Sequence, residues 1–119
     1  PWTSTLLGLV PAARAAEAPV PPAQSELLRA RAQRLIDEGD IAAARLLLIH
    51  LAERGEGDAA YELGRTFDPE MLSALGARGI ANDPLSARSW YERAAERGNA
   101  KAAARLKILA SLSRTDQSD

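Results

Sequence analysis

The sequence predicts an all-α protein, because of its composition and because helix caps and stops recur along it. Of the 119 residues, 25 are alanine and 17 are leucine, both strong helix formers. Valine, isoleucine and threonine together supply only 11 residues, too few β-branched side chains to build a sheet. Aspartate and glycine recur where helices would begin and end. A chain of this length has room for one small domain.

Composition also excludes several classes of function. The chain contains no cysteine, which excludes disulfide scaffolds, cysteine nucleophiles, cysteine-rich zinc sites and iron–sulfur clusters. Its 15 basic and 16 acidic residues give a formal charge of -1. That balance argues against a nucleic-acid binder that depends on bulk positive charge, so we expect no nucleic-acid partner.

The first 24 residues differ from the rest and are predicted to be disordered. They hold five of the seven prolines and have no periodic apolar face. Two interpretations stay open: a linker from an upstream domain, or the remnant of an export signal, with residues 6–10 as the apolar stretch and residues 16–18 (Ala-Glu-Ala) as the cleavage pattern. The second favours an exported or periplasmic location, the first a cytoplasmic one. Residues 6–10 are too few to span a bilayer, which needs about 20.

The first helical hairpin is predicted to begin at Ser25, a candidate N-cap. Gly39 ends its first helix, and Asp40 caps a second helix that stops at Gly55. Because the turn between them is short, the two helices should be antiparallel neighbours. Their apolar faces contain Leu28, Ala32, Leu35, Ile41, Ala44, Leu47, Leu48 and Leu51.

The rest of the chain is predicted to hold four more helices. A third helix covers about 58–67, and residues 68–75 begin with Asp-Pro, a capping side chain before the residue favoured at the first helical position. After a loop, Asp-Pro at 83–84 opens another helix, and a final helix begins near Ala100. These assignments divide the chain into a linker or signal remnant (1–24), a helical domain (25–113) and a polar tail (114–119).

An internal repeat links the two halves of the helical domain. Shifting the chain by 43 residues aligns Asp40 with Asp83 and the Ala-Glu-Arg-Gly run at 52–55 with the same run at 95–98. The alignment gives ten identities over residues 40–63 without a gap. Self-similarity at a fixed period is typical of helical-repeat arrays, in which each helix pair stacks on the next.

The repeat resembles a known family. Residues 87–99, with Ala-x-x-Trp-Tyr-x-x-Ala-Ala-x-x-Gly-Asn, are similar to the signature of Sel-one-like repeats, a branch of the tetratricopeptide superfamily. Residues 59–67 resemble that family's first helix, and 76–83 resemble its loop. Two features depart from the pattern: 68–75 reads as an insertion, and Leu47-Leu48 stands where the signature has Trp-Tyr.

The resemblance implies stacked antiparallel helix pairs that form a short right-handed αα superhelix. In such arrays the first helix of each pair lines a concave groove, whose arginines suit the carboxylates of an extended peptide. The resemblance also places Trp90 and Tyr91 between packed helices. The candidate partner-binding residues are Arg31, Arg34, Tyr61, Glu62, Arg65, Lys101 and Arg105.

The sequence therefore predicts a non-enzymatic scaffold that binds a protein or peptide, without catalytic residues, cofactor or metal. His50 is the only histidine, and no serine lies in a G-x-S-x-G elbow. In bacteria, similar modules accompany envelope assembly, secretion and signalling. The alternative is a regulatory or targeting appendage of an enzyme whose catalytic domain lies upstream. Self-association also stays open, because arrays of this kind usually need about three repeats.

Overall fold

The structure, a computed structural model, describes residues 19–77 and 79–118, the last four as backbone alone. Within those residues it contains helices and no strand, which confirms the all-α prediction. The predicted signal or linker pattern at residues 1–18 lies outside the described residues. The helices are α1 (Pro22–Asp37), α2 (Ile41–Glu53), α3 (Gly57–Phe67), α4 (Pro69–Ala74), α5 (Pro84–Glu96) and α6 (Ala100–Ser118).

The predicted caps set the starts of α2, α4 and α5. The Asp40 carboxylate accepts a hydrogen bond from the Ala43 backbone N–H at 3.2 Å, and Asp83 accepts one from the Ser86 N–H at 3.1 Å. Asp68 caps α4 in the same way, through the Glu70 N–H. Each bond satisfies a backbone donor that has no partner within its helix.

Two helix boundaries differ from the prediction. Helix α1 begins at Pro22, because proline is favoured in the first turn, and Ser25 lies inside the helix instead of capping it. Ser25 is 4% exposed and donates a hydrogen bond to Glu56 at the end of the α2–α3 turn. At the other end, α6 continues through the predicted polar tail, since no glycine or proline interrupts it before Ser118.

Most consecutive helices pack against each other along the chain, and α3 also packs on α5 across the segment that contains α4. Helix α1 packs on α2, α2 on α3, α3 on α5, and α5 on α6, while the short α4 packs on α3. One apolar cluster joins α1, α2 and α3, and a second joins α3, α5 and α6. Trp90 is half-buried and contacts both clusters, whereas Tyr91 is fully buried. The predicted packing position of this pair is therefore confirmed for Tyr91 and holds in part for Trp90.

The two Ala-Glu-Arg-Gly turns adopt the same backbone and lie side by side. Arg54 has φ -92° and ψ 13°, and Arg97 has φ -93° and ψ 11°. The following residues, Gly55 and Gly98, have φ 90° and 89°, in the left-handed region that favours glycine. A Cβ built on Gly57 would lie 2.9 Å from the Arg97 Cβ, so the first turn rests directly against the second.

Polar contacts join α1, α3 and α6 near the start of α3. There Ser25 in the first turn of α1 bonds to Glu56, while Asp58 lies 3.7 Å from Arg29 in the middle of α1 and accepts a hydrogen bond from the Asn99 side chain at 2.9 Å. Further along, Asp68 at the end of α3 binds Arg105 of α6. The three helices therefore run in the same direction along one surface of the molecule.

Candidate partner-binding groove

The surface formed by α1, α3 and α6 contains two adjoining cavities of about 330 and 340 Å³. The first lies between α1 and α3, and the second lies between α3 and the start of α6. Arg29 and Glu62 line both cavities, which makes them one continuous depression across the three helices. We call this depression, with the adjoining exposed face of α6, the groove.

Ion pairs and an aromatic ring form the floor of the groove. Arg65 donates to Glu62 at 2.9 Å, and its guanidinium carbon lies 6.0 Å from the centre of the Tyr61 ring. Tyr61 is half-buried, with its ring centre 5.8 Å from that of Tyr91 in the core. Because Tyr61 is anchored by this contact, it presents an aromatic surface at small conformational cost.

Four of the seven candidate residues from the sequence are brought together here. Tyr61, Glu62 and Lys101 line the cavity between α3 and α6. Arg65 lies on the same face of α3 and contacts both Glu62 and Tyr61. Arg31 and Arg34 instead line a separate cavity of about 230 Å³ on another face of α1. Taking α1 as a groove helix was therefore not enough, because only one of its faces turns toward α3.

The prediction that Arg105 binds a partner is corrected by the structure, which places this residue inside the fold and not in the groove. Its side chain is 6% exposed, and Nε donates to the Asp68 Oδ2 at 2.9 Å while Nη2 donates to Oδ1 at 3.1 Å. Nη2 also lies 3.3 Å from the Glu70 carboxylate. A guanidinium occupied in this way has no free fork for the carboxylate of a partner.

Asp68 is the centre of this buried cluster. The carboxylate is 2% exposed and also accepts a hydrogen bond of 2.8 Å from the fully buried Tyr91 hydroxyl. Burial alone would raise the pKa of Asp68, but the bonds from Arg105 and Tyr91 outweigh it and hold that pKa below its usual value. Burial together with the bond to Asp68 raises the pKa of Tyr91. The cluster therefore stays charged as an ion pair and ties α3, α5 and α6 together.

Arg45 forms a second internal tie that sequence reasoning missed. Its guanidinium stacks 4.0 Å from the centre of the Phe67 ring and donates to the backbone carbonyls of Thr66 and Ala81, the latter at 2.9 Å. It thereby ties α2 to the end of α3 and to the loop before α5. In the sequence repeat Arg45 aligns with Arg88, which could have drawn attention to this position. The two arginines nevertheless differ in role, because Arg88 forms an exposed salt bridge with Glu92 at 3.2 Å.

The groove residues of α1 that the sequence missed are Glu26, Arg29 and Gln33. Their spacing of three and four residues places them on one helical face beside Ala30. That spacing was visible in the sequence, but without the position of α3 nothing distinguished this face from that of Arg31 and Arg34.

Three findings bear on other functions. His50 is exposed, and its Nδ1 lies 3.0 Å from an Arg54 guanidinium nitrogen. Across residues 19–77 and 79–118, no three side chains of the metal-binding types come together. In the same part of the chain, no helix combines the length and the apolar character needed to span a bilayer.

Comparison of the chain with protein-family models, curated proteins and solved structures finds no match. The resemblance to Sel-one-like repeats therefore rests on the sequence pattern alone.

Proposed function

We propose that this protein is a non-enzymatic scaffold of the Sel-one-like, tetratricopeptide-related type. In this proposal its helix pairs form a short αα superhelix, and its groove binds an extended peptide segment of another protein. Two observations support the repeat arrangement: the φ and ψ angles of the two Ala-Glu-Arg-Gly turns agree, and the turns are in direct contact. The parallel alignment of α1, α3 and α6 supports the groove, because these are the first helices of successive pairs.

The observation that carries the binding function is an exposed apolar strip on the groove face of α6. Ile108 and Leu112 are 49% and 50% exposed. They follow Lys101 by seven and eleven residues, spacings that put all three on one face of the helix. Large apolar side chains exposed next to a polar groove are typical of protein interaction sites.

The location of the shifted pKa values supports a non-enzymatic role. Catalytic groups usually combine a shifted pKa with access to a cleft. Here Asp68, Tyr91 and Arg105 have shifted pKa values, but they are buried and bond to one another. The pKa values of Asp83 and Arg45 are also lowered, that of Asp83 by its cap bonds to Ser86 and that of Arg45 by burial, and neither residue lines a groove cavity. Their arrangement supports the fold, and a substrate in the groove would not touch them.

A peptide selection with two matched variants tests the proposal. Random ten-residue peptides are displayed and selected against the whole chain, and the enriched peptides are measured by fluorescence anisotropy. Replacing Ile108 and Leu112 together by serine should weaken binding about tenfold, because two apolar contacts are lost. Replacing Leu27 and Leu46 by serine is the control, since they are 71% and 72% exposed and line neither groove cavity.

The control pair should leave the affinity within about twofold. Two outcomes would overturn the proposal. In one, the selection enriches no peptide that binds the folded chain. In the other, the serine pair on α6 and the control pair weaken binding equally, which would place binding outside the groove.

A further inference from the structure

The charges along the groove are paired with one another, except at its two edges. Arg29 is engaged by Asp58, and Arg65 by Glu62. Glu26 at the α1 edge and Lys101 at the α6 edge are exposed, and neither forms a salt bridge among the described residues. The groove therefore offers one free negative charge on one side and one free positive charge on the other.

Paired and free charges act differently on an incoming peptide. A charged side chain that already forms a salt bridge adds little binding energy for a charged peptide residue, because that residue must compete with the existing partner. A free charge at the rim of a cavity attracts an opposite charge and repels a like one, which sets the orientation of a ligand more than its overall affinity. Glu26 and Lys101 are in this second position.

The separation of the two edges fits a short extended segment. Asp58 of α3 contacts both Arg29 of α1, at 3.7 Å, and the Asn99 side chain at the start of α6, at 2.9 Å, so α3 alone separates the two edges. An extended chain rises about 3.3 Å per residue, so a short segment can reach from one edge to the other.

We propose that the groove selects extended peptides with opposite charges at their two ends, an acidic end beside Lys101 and a basic end beside Glu26. The inference rests on the proposed function, because it requires that a peptide occupies the groove. To the proposed function this inference adds the charge pattern of the peptide, and it assigns the selection of that pattern to Lys101 and Glu26.

The test uses three labelled probe peptides that share one apolar centre, taken from the selection described above. The ends of the first peptide are Asp-Asp and Arg-Arg, those of the second are both Arg-Arg, and those of the third are both Asp-Asp. Each is titrated by fluorescence anisotropy against the native chain and the variants Lys101→Glu and Glu26→Lys. The control is Arg31→Glu, which reverses an exposed charge on the other face of α1.

The native chain should bind the mixed peptide about five- to tenfold more tightly than the other two. Lys101→Glu makes both edges acidic and should shift the preference to the peptide with two basic ends. Glu26→Lys makes both edges basic and should shift it to the peptide with two acidic ends. The two peptides with like ends present the same charges in either backbone direction, so the preferences expected of the two variants do not depend on that direction.

The two proposals fail in different ways. If the native chain binds the three peptides equally, or if the preference stays the same in both variants, the edge charges do not read the partner and the inference is wrong. A shift of preference in Arg31→Glu as large as that in Lys101→Glu would overturn it as well. If the native chain binds none of the three peptides although the selected parent peptide binds, the charged ends do not fit the groove and the inference is wrong. If the selection itself yields no binding peptide, the proposed function is contradicted.

Discussion

The two segments related by the sequence repeat share the conformation of their turns and differ in what they bury. Leu48 in α2 and Tyr91 in α5 occupy equivalent positions 43 residues apart, and both are buried. Leu48 contacts only the apolar cluster around it, whereas the Tyr91 hydroxyl bonds to Asp68. The comparison teaches that caps and turn glycines determine the repeated backbone, while each interface acquires its own side-chain chemistry.

The second interface needs two features that the first does not. Gly64 on α3 leaves room for the Tyr91 ring, since a Cβ at that position would lie 2.7 Å from two of its carbon atoms. Asp68 supplies the acceptor for the Tyr91 hydroxyl and the partner for Arg105, and it also caps the inserted helix α4. The inserted segment is thus part of how the second unit accommodates a tyrosine.

The largest expected effect comes from breaking the buried ion pair of the second unit. Arg105→Met leaves the Asp68 carboxylate buried without its main partner and should lower the free energy of unfolding by about 3 to 5 kcal/mol. Arg88→Met removes one partner of an exposed pair and should cost less than about 0.5 kcal/mol. Urea unfolding measures both; equal losses would show that the buried pair adds nothing to the second interface.

Acid should weaken the same interface without any mutation. The pKa of Asp68 lies below its usual value in the folded chain, so its ion pair contributes fully at pH values above the unfolded pKa of about 3.9. That contribution is lost as the pH falls below the unfolded pKa and through the lower folded one. The stability difference between the native chain and Asp68→Asn should therefore shrink between about pH 5 and pH 2. A difference that stays constant over this range would contradict the role of Asp68.

A smaller effect tests the space that the second unit requires. An alanine at Gly64 would ordinarily favour a helix, but here its Cβ meets the Tyr91 ring, so Gly64→Ala should cost about 1 to 3 kcal/mol. In a Tyr91→Leu background, which copies the first unit, the same change should cost much less. The double-mutant cycle is read from thermal or urea unfolding, and additive effects would mean that Gly64 does not serve Tyr91.

The smallest effects compare the two turns directly. Alanine at Gly55 or Gly98 must adopt a positive φ, which costs about 1 kcal/mol at either position. The two variants should cost nearly the same, because the Arg97 guanidinium 3.3 Å from the Gly55 Cβ is the exposed end of a flexible side chain that can move aside, and nothing lies within 4 Å at Gly98. Urea unfolding of both variants checks this, and a difference above about 1 kcal/mol would contradict the shared conformation of the two turns.

Local features were predictable from the sequence, and long-range ones were not. The Asp40 and Asp83 caps follow from a residue type at a fixed place beside an apolar pattern, as do the glycine stops. Arg105 has the same helical spacing as a groove residue, and only the position of Asp68, 37 residues earlier, shows that it points inward. The faces of α1 are a similar case, because Arg29 and Arg31 differ only in which side meets α3.

The repeat itself can be tested with a designed disulfide, since the chain contains no cysteine. Gly57→Cys with Arg97→Cys would place two Cβ atoms about 2.9 Å apart, within a small adjustment of the roughly 3.5–4.5 Å that a disulfide requires. Mild oxidation should form an intramolecular bond, detected by intact mass and thiol titration. Gly57→Cys with Arg88→Cys moves the second thiol about 13 Å along α5 and should not crosslink. If the first pair keeps both thiols free, or crosslinks only between chains, the two units are not stacked copies of one helical hairpin.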